Sequence, residues 1–296
     1  MIIDPTYPDI LNKNKLNEIK QKQSKGDSFN LELEVLSSST LSVGTKIKID
    51  QFGIIEGALR NIKDNISYFG YIENNSDNNT NNIIDKNNNE VDYLLPIKHC
   101  EKMGRFFKIQ YIPKINEYII KDMGNGLGTF IKIQDFIYIR NSSMINIGDT
   151  YLIFNFISND DKDTIEKKER EKKNINGVGL KLKVKLFESK NNNDIKEFIF
   201  ENNAESVIHI GRKNHGNNIE LNDHLSSKVN CLVQYNSENG WIIKDGNEVI
   251  SKNGDIKRNY STNGTWFLAV ENIKIVDKMI FKSNFNIFRC TLTKNN

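Results

Sequence analysis

Five side chains in the second half of this 296-residue chain can act as donors to one anion: Arg212, Ser227, Lys228, Thr262 and Asn263. Arginine offers a rigid fork of N–H groups, serine and threonine offer hydroxyls, Lys228 adds a backbone N–H and an ammonium, and asparagine can hold a peptide backbone through its amide. This is the chemistry for capturing a phosphoryl group, which carries about −1.5 to −2 charge and three strong acceptor oxygens. Each donor stands beside a turn or loop signal: Ile210-Gly211-Arg212, Leu225-Ser226-Ser227-Lys228, and Ser261-Thr262-Asn263-Gly264-Thr265-Trp266. Taken singly, each is an ordinary surface or turn residue. Their order along one kind of element is what makes a site.

Those elements read as strands. Leu31-Glu32-Leu33-Glu34-Val35-Leu36, Lys46-Ile47-Lys48-Ile49 and Leu180-Lys181-Leu182-Lys183-Val184-Lys185-Leu186 alternate with period two, the pattern of strands with one wet face. Short apolar segments divided by Asn, Gly and Asp continue to Phe288-Arg289-Cys290-Thr291-Leu292. The pattern predicts an all-β chain of sandwich type. Residues 1–28 read as a polar tail, the Asn-heavy stretch from Glu73 to Glu90 as a solvated insertion, and residues 158–176 as a charged linker. The expected architecture is therefore two β-sandwiches in tandem, 29–157 and 177–294. The halves also resemble each other. Ile109-Gln110-Tyr111 recurs as Val233-Gln234-Tyr235, and Tyr118-Ile119-Ile120-Lys121-Asp122 as Trp241-Ile242-Ile243-Lys244-Asp245, at a nearly constant offset. A duplicated fold is the economical explanation.

At these residues the chain resembles the forkhead-associated (FHA) family, an 11-stranded β-sandwich that reads phosphothreonine through loops at one end. The family pattern is a hydrophobic residue with Gly-Arg, an acidic position about a dozen residues on, Ser-x-x-His, a strand ending in Trp and Asp, and Ser-x-Asn-Gly-Thr. Here it appears as Ile210-Gly211-Arg212, Leu221-Asn222-Asp223, Ser227-Lys228-Val229-Asn230, Trp241 to Asp245, and Ser261-Thr262-Asn263-Gly264-Thr265. The resemblance implies phosphate contacts from Arg212, Ser227, Lys228 and Thr262, with Asn263 fixing the peptide backbone. Gly211 and Gly264 would serve backbone geometry. Asn230 stands where the family has histidine, a residue that braces the binding loops, and an Asn side chain is able to supply one of those bonds. An insertion from Asn247 to Tyr260 precedes the last motif and carries a second Ser-x-Asn-Gly copy, Ser251 to Gly254, which lacks the following Thr-Trp.

The first half departs further. Tyr71 follows Gly70 where the arginine belongs, Met103 and Phe106 fall at the serine and histidine positions, and Leu127 replaces the asparagine. This half is expected not to bind phosphothreonine in the family manner and to serve as a structural or docking domain. Lys98, His99, Lys102 and Arg105 read as a solvated loop rather than a basic patch.

A formal charge of +3 announces neither a nucleic-acid nor a membrane partner, and no apolar run approaches the ~20 residues of a membrane helix. Met1-Ile2-Ile3-Asp4-Pro5 lacks the basic start and apolar core of a secretory signal, so the expectation is a cytoplasmic or nuclear protein. Cys100, Cys231 and Cys290 show no C-x-x-C pair and read as buried thiols. The histidines His99, His209, His215 and His224 show no metal-ligand spacing, and no catalytic motif appears. The expectation is a non-catalytic adaptor without metal or cofactor, whose partner is a phosphothreonine-containing protein rather than nucleic acid or a small-molecule substrate. The alternative is a phosphate-independent interaction scaffold or self-associating module; a nucleic-acid binder using Lys181, Lys183 and Lys185 ranks third.

Overall fold

The computed structural model describes residues 29–59, 64–72, 90–96, 103–158, 176–188, 195–204, 207–250, 253 and 256–294. The N-terminal tail, the Asn-heavy insertion between 73 and 89, the body of the charged linker, residues 97–102 with Lys98, His99, Cys100 and Lys102, and most of the Ser251 to Gly254 copy lie outside them. The described residues form strands and turns throughout, so the chain is all-β as expected. No helix among them is long and apolar enough to cross a membrane.

The strands group into two compact units. One is continuous, Lys132–Leu268; the other is split, joining Ile2–Ile131 to Ala269–Asn296. This differs from the division at 158–176 read from the sequence. Thr150–Ile157 pairs along its whole length with Lys181–Glu188, from Thr150↔Glu188 to Ile157↔Lys181. Asn286–Lys294 pairs instead with the first strand, from Phe29↔Lys294 through Leu33↔Cys290 to Val35↔Phe288. Each half of the sequence thus lends its last strands to the other half. The driving force is the match of inward rows: Leu152, Phe154 and Phe156 lie opposite Leu186, Val184 and Leu182, while Leu31 and Leu33 lie opposite Leu292 and Cys290. All of these except Leu292 are buried, and apolar burial stabilises each pairing by about 25 cal/mol per Å² removed from water.

In the continuous unit, five strands run in the order Lys196–Phe200, Lys181–Glu188, Thr150–Ile157, Ser143–Ile147 and Trp266–Leu268. A second sheet runs Ile219–Leu221, Val207–Arg212, Cys231–Asn236, Gly240–Asp245 and Phe136–Tyr138. Trp241 Nε1 donates to the Leu180 carbonyl at 2.9 Å, and the Tyr235 hydroxyl accepts the Gly179 N–H at 2.7 Å, tying the second sheet to the chain that enters the first. The two arms of the insertion before the last site motif pair with each other. Asn247–Ile250 pairs with Ile256–Asn259, starting at Asn247↔Asn259, so the excursion returns to its own base.

In the split unit, one sheet runs Thr129–Lys132, Ile280–Ser283, Asn286–Lys294, Phe29–Ser37, Lys46–Asp50 and Gly53–Ile54. The other runs Ile273–Lys274, Glu117–Asp122, Gly104–Ile112, Ile66–Tyr71 and Tyr93–Leu94. Its core is aromatic: Phe107 stacks on Phe69 with centroids 4.5 Å apart and meets Phe281 edge-on at 5.3 Å across the sheets. The internal repeat seen in the sequence is structural. Phe69↔Phe107 and Phe107↔Asp122 in this unit match Ile210↔Cys231 and Cys231↔Asp245 in the other, and each unit has one parallel pair at the equivalent edge.

Candidate functional site

The three donor-bearing segments of the continuous unit converge at one loop end. Val207–Arg212 delivers Arg212 at its last residue, and the loop before Cys231–Asn236 carries Ser227 and Lys228. Glycine at 211 is required by a close approach: a Cβ there would stand 2.3 Å from the Lys228 carbonyl oxygen. The Arg212 N–H donates to the Ser227 carbonyl at 2.9 Å, and Asn217 Nδ2 donates to the carbonyls of Arg212 and Lys228 at 3.0 and 2.8 Å, so these two loops are held together by backbone.

The third segment arrives through Asp245. Its Oδ1 accepts from Ser261 Oγ at 2.6 Å and from Thr265 Oγ1 at 2.7 Å, and its Oδ2 accepts the Ser261 N–H at 3.1 Å. Buried Asp245 therefore clamps both ends of the Ser261-to-Thr265 loop. Ser227 then meets that loop directly: its Oγ accepts the Thr262 N–H at 3.0 Å and lies 3.4 Å from Thr262 Oγ1. Asn263 Nδ2 donates to the Leu225 carbonyl at 2.8 Å. The sequence-expected set of Arg212, Ser227, Lys228, Thr262 and Asn263 is thus one surface, with Arg212, Lys228, Thr262 and Asn263 exposed.

Asn230 fills the bracing position. It has no exposed surface, its Oδ1 accepts the Ser227 N–H at 3.1 Å, and its Nδ2 donates to Thr265 Oγ1 at 3.0 Å. One side chain thereby links the Ser227 loop to the Thr262 loop. Gly264 has φ +81°, a conformation that favours glycine, and supports the turn that presents Thr262 and Asn263.

The cations at this end are Arg212 and Lys228. Arg212 Nε and Nη2 donate to the Ser226 carbonyl at 2.8 and 2.6 Å, which orients the guanidinium while Nη1 makes no hydrogen bond among the described residues. Arg212 and Lys228 form no ion pair among those residues. The nearby carboxylates are occupied by uncharged donors: Asp223 by the N–H groups of Asp149 and Leu225, Glu220 by the N–H of Asn214, and Asp245 as described. Arg212, Lys228, Ser227 Oγ and Thr262 Oγ1 are the donors that an anion placed here would meet.

Asn217, Asp245 and Thr265 carry the loop geometry without having been singled out as site residues. Asp245 and Thr265 do lie inside the quoted motifs, so their signal was present; Asn217 sits in a polar turn that offers none.

At the equivalent end of the split unit the scaffold persists and the donors do not. A Cβ on Gly70 would stand 2.1 Å from the Gly104 carbonyl oxygen, matching Gly211. Asn125 Nδ2 donates to the Arg105 carbonyl at 2.9 Å, and the Leu127 N–H donates to Asn284 Oδ1 at 2.7 Å. Phe106 is fully buried where Asn230 stands in the other unit, while Met103 and Leu127 are 39% and 53% exposed. Arg105, read from sequence as part of a loop, lays its guanidinium 3.7 Å from the centre of the Tyr68 ring and donates Nε to the Glu90 carbonyl.

Elsewhere, Lys181 meets Glu201 at 2.8 Å, and Lys183 and Lys185 share Glu197 at 2.8 and 3.4 Å, so two glutamates offset most of this stripe's three positive charges. Cys231 and Cys290 are buried free thiols, with burial pushing both pKa values up, and Trp241 and Trp266 are core residues. Comparison of the chain with protein-family models, with curated proteins and with solved structures finds no match.

Proposed function

We propose that the chain is a non-catalytic adaptor of the forkhead-associated type, whose Lys132–Leu268 unit binds phosphothreonine segments of a partner protein. The observation that carries this reading is the contact between Ser227 and Thr262, with Arg212 and Asn263 fastened to the backbone of the same loop at Ser226 and Leu225. A dianionic phosphate seated there receives the unengaged Nη1 of Arg212 and two hydroxyls, and the Asn263 amide is placed at the loop tip to hold the flanking backbone. Such peptide capture typically gives micromolar affinity, ~8 kcal/mol. The test is titration of the full chain with a degenerate phosphothreonine peptide library and its unphosphorylated twin. Selective binding that Arg212→Ala and Ser227→Ala each abolish supports the reading; equal binding of both pools refutes it.

A second reading, phosphate-independent association, is favoured by the split unit. Its loop end exposes Met103, Leu127 and also Phe285, which is 52% exposed beside Asn284, where the continuous unit places its donors. Self-association or partner binding that survives phosphatase treatment and Arg212→Ala, and is lost in Leu127→Asp, distinguishes it.

A further inference from the structure

The site motifs all lie between residues 210 and 265, yet one side chain from the first half of the sequence reaches them. Lys132 is the first residue of the continuous unit. The N–H of Ile133 next to it donates to the Thr265 carbonyl at 2.9 Å, which pins this stretch beside the Ser261-to-Thr265 loop. The lysine side chain is laid across Gly264: its Cε, Cδ and Cγ lie 2.7, 3.4 and 3.4 Å from the point a Cβ would occupy. The positive φ of +81° favours glycine at 264, and the absence of a Cβ leaves room for the lysine methylenes above it.

Packing alone accounts for the methylenes and leaves the charge without a use, since leucine or methionine would cover Gly264 as well. Lys132 is half-buried, and its ammonium forms no hydrogen bond or ion pair among the described residues. Lys181, Lys183, Lys185, Lys196 and Lys244 of the unit each meet a glutamate, whereas Lys132 shares its lack of an ion pair among the described residues with Lys228 of the site. Asp223, Asp245 and Glu220 accept from uncharged donors, and none of the three is paired with Lys132 among the described residues. A partly desolvated, partly immobilised cation one bond beyond a carbon that rests on Gly264 is poised for an anion that arrives with the ligand.

We infer that Lys132 is a further cationic contact of this site beside Arg212 and Lys228, taking an acidic side chain within a few residues of the phosphothreonine. The inference rests on the phosphothreonine reading above. An extended peptide advances ~3.3–3.6 Å per residue, so a segment held by Asn263 carries its neighbouring side chains past Gly264.

The experiment uses the full chain, wild type and Lys132→Met, and fluorescence anisotropy with two phosphothreonine peptide pools. One pool has neutral flanks, the other Asp or Glu at the flanking positions, and each has an unphosphorylated counterpart. Wild type should bind the acidic pool about three- to fivefold more tightly, and Lys132→Met should lose that preference while holding the neutral pool within about twofold. A wild type without acidic preference, a variant that keeps it, or a variant that loses both pools equally overturns the inference while leaving phosphothreonine binding standing. If neither phosphorylated pool outbinds its counterpart, the phosphothreonine reading fails and this contact falls with it.

Discussion

Asn230 joins two loops with its two amide atoms, accepting the Ser227 N–H at 3.1 Å and donating to Thr265 Oγ1 at 3.0 Å from a fully buried position. Asn230→Ala leaves the Ser227 N–H without its acceptor, whereas Thr265 keeps its bond to Asp245 at 2.7 Å. Losing a buried hydrogen-bond partner costs about 1–3 kcal/mol, so urea unfolding should show a loss in that range. Phosphopeptide affinity should fall with it, because Ser227 is no longer held against Thr262.

Gly211→Ala should damage the fold more than an ordinary surface glycine change. The new Cβ would stand 2.3 Å from the Lys228 carbonyl oxygen and 2.9 Å from Val229 Cα, both backbone atoms that must move. We expect about 1–3 kcal/mol of destabilisation and loss of phosphopeptide binding. Gly216→Ala is the matched control: its φ is +73° but nothing lies within 4 Å, so it should cost about 1 kcal/mol and leave binding intact. Thermal melts of the two variants, each followed by the same titration, separate these outcomes.

The exchange of strands predicts which fragments fold. Residues 132–268 contain both sheets of the continuous unit, including Phe136–Tyr138, Ser143–Ile147 and Thr150–Ile157. Expressed alone, they should unfold cooperatively and give a dispersed amide spectrum. Residues 177–296 lack those three strands, leaving the inward face of Lys181–Glu188 without its partner, and should give neither signature.

The strands and the loop segments that the fold brings together were legible in the sequence because both are local. Period-two alternation marks which residues face inward, and Arg212, Ser227, Thr262 and Asn263 each stand beside a turn or loop signal. Pairing partners are not local. Thr150–Ile157 and Asn286–Lys294 present similar alternating faces, and alternation is silent on which neighbour each will choose, so the division of the chain could not be read. The same limit hid Lys132, which reaches Gly264 only because the chain crosses between units at residues 131–132. The Asn247-to-Tyr260 insertion was visible as an insertion, but its harmless shape depends on the Asn247↔Asn259 pairing that brings Ser261 back to Asp245.

Lys282 in the split unit gives a pH-dependent prediction. Burial pushes its pKa from 10.5 down to about 8. Between those values the unfolded chain holds a proton that the folded chain has released, so this residue makes stability rise with pH across that window. Below pH 8 the buried ammonium costs the fold its full penalty, partly offset by the Phe130 ring 5.4 Å away. Lys282→Met should therefore stabilise the protein at pH 7 by about 1–3 kcal/mol, and the gain should shrink by pH 10. Guanidinium unfolding of both proteins at the two pH values measures it; an equal difference at both would rule out the buried charge as its cause.

The most direct measurement of phosphothreonine capture is the amide spectrum of the full chain during titration with one phosphothreonine peptide and its unphosphorylated twin. Saturable shifts are expected at Ser227, Lys228, Thr262 and Asn263 with the phosphorylated peptide alone, and none at Met103, Leu127 or their neighbours. Shifts of equal size with both peptides, or shifts confined to the split unit, would contradict it.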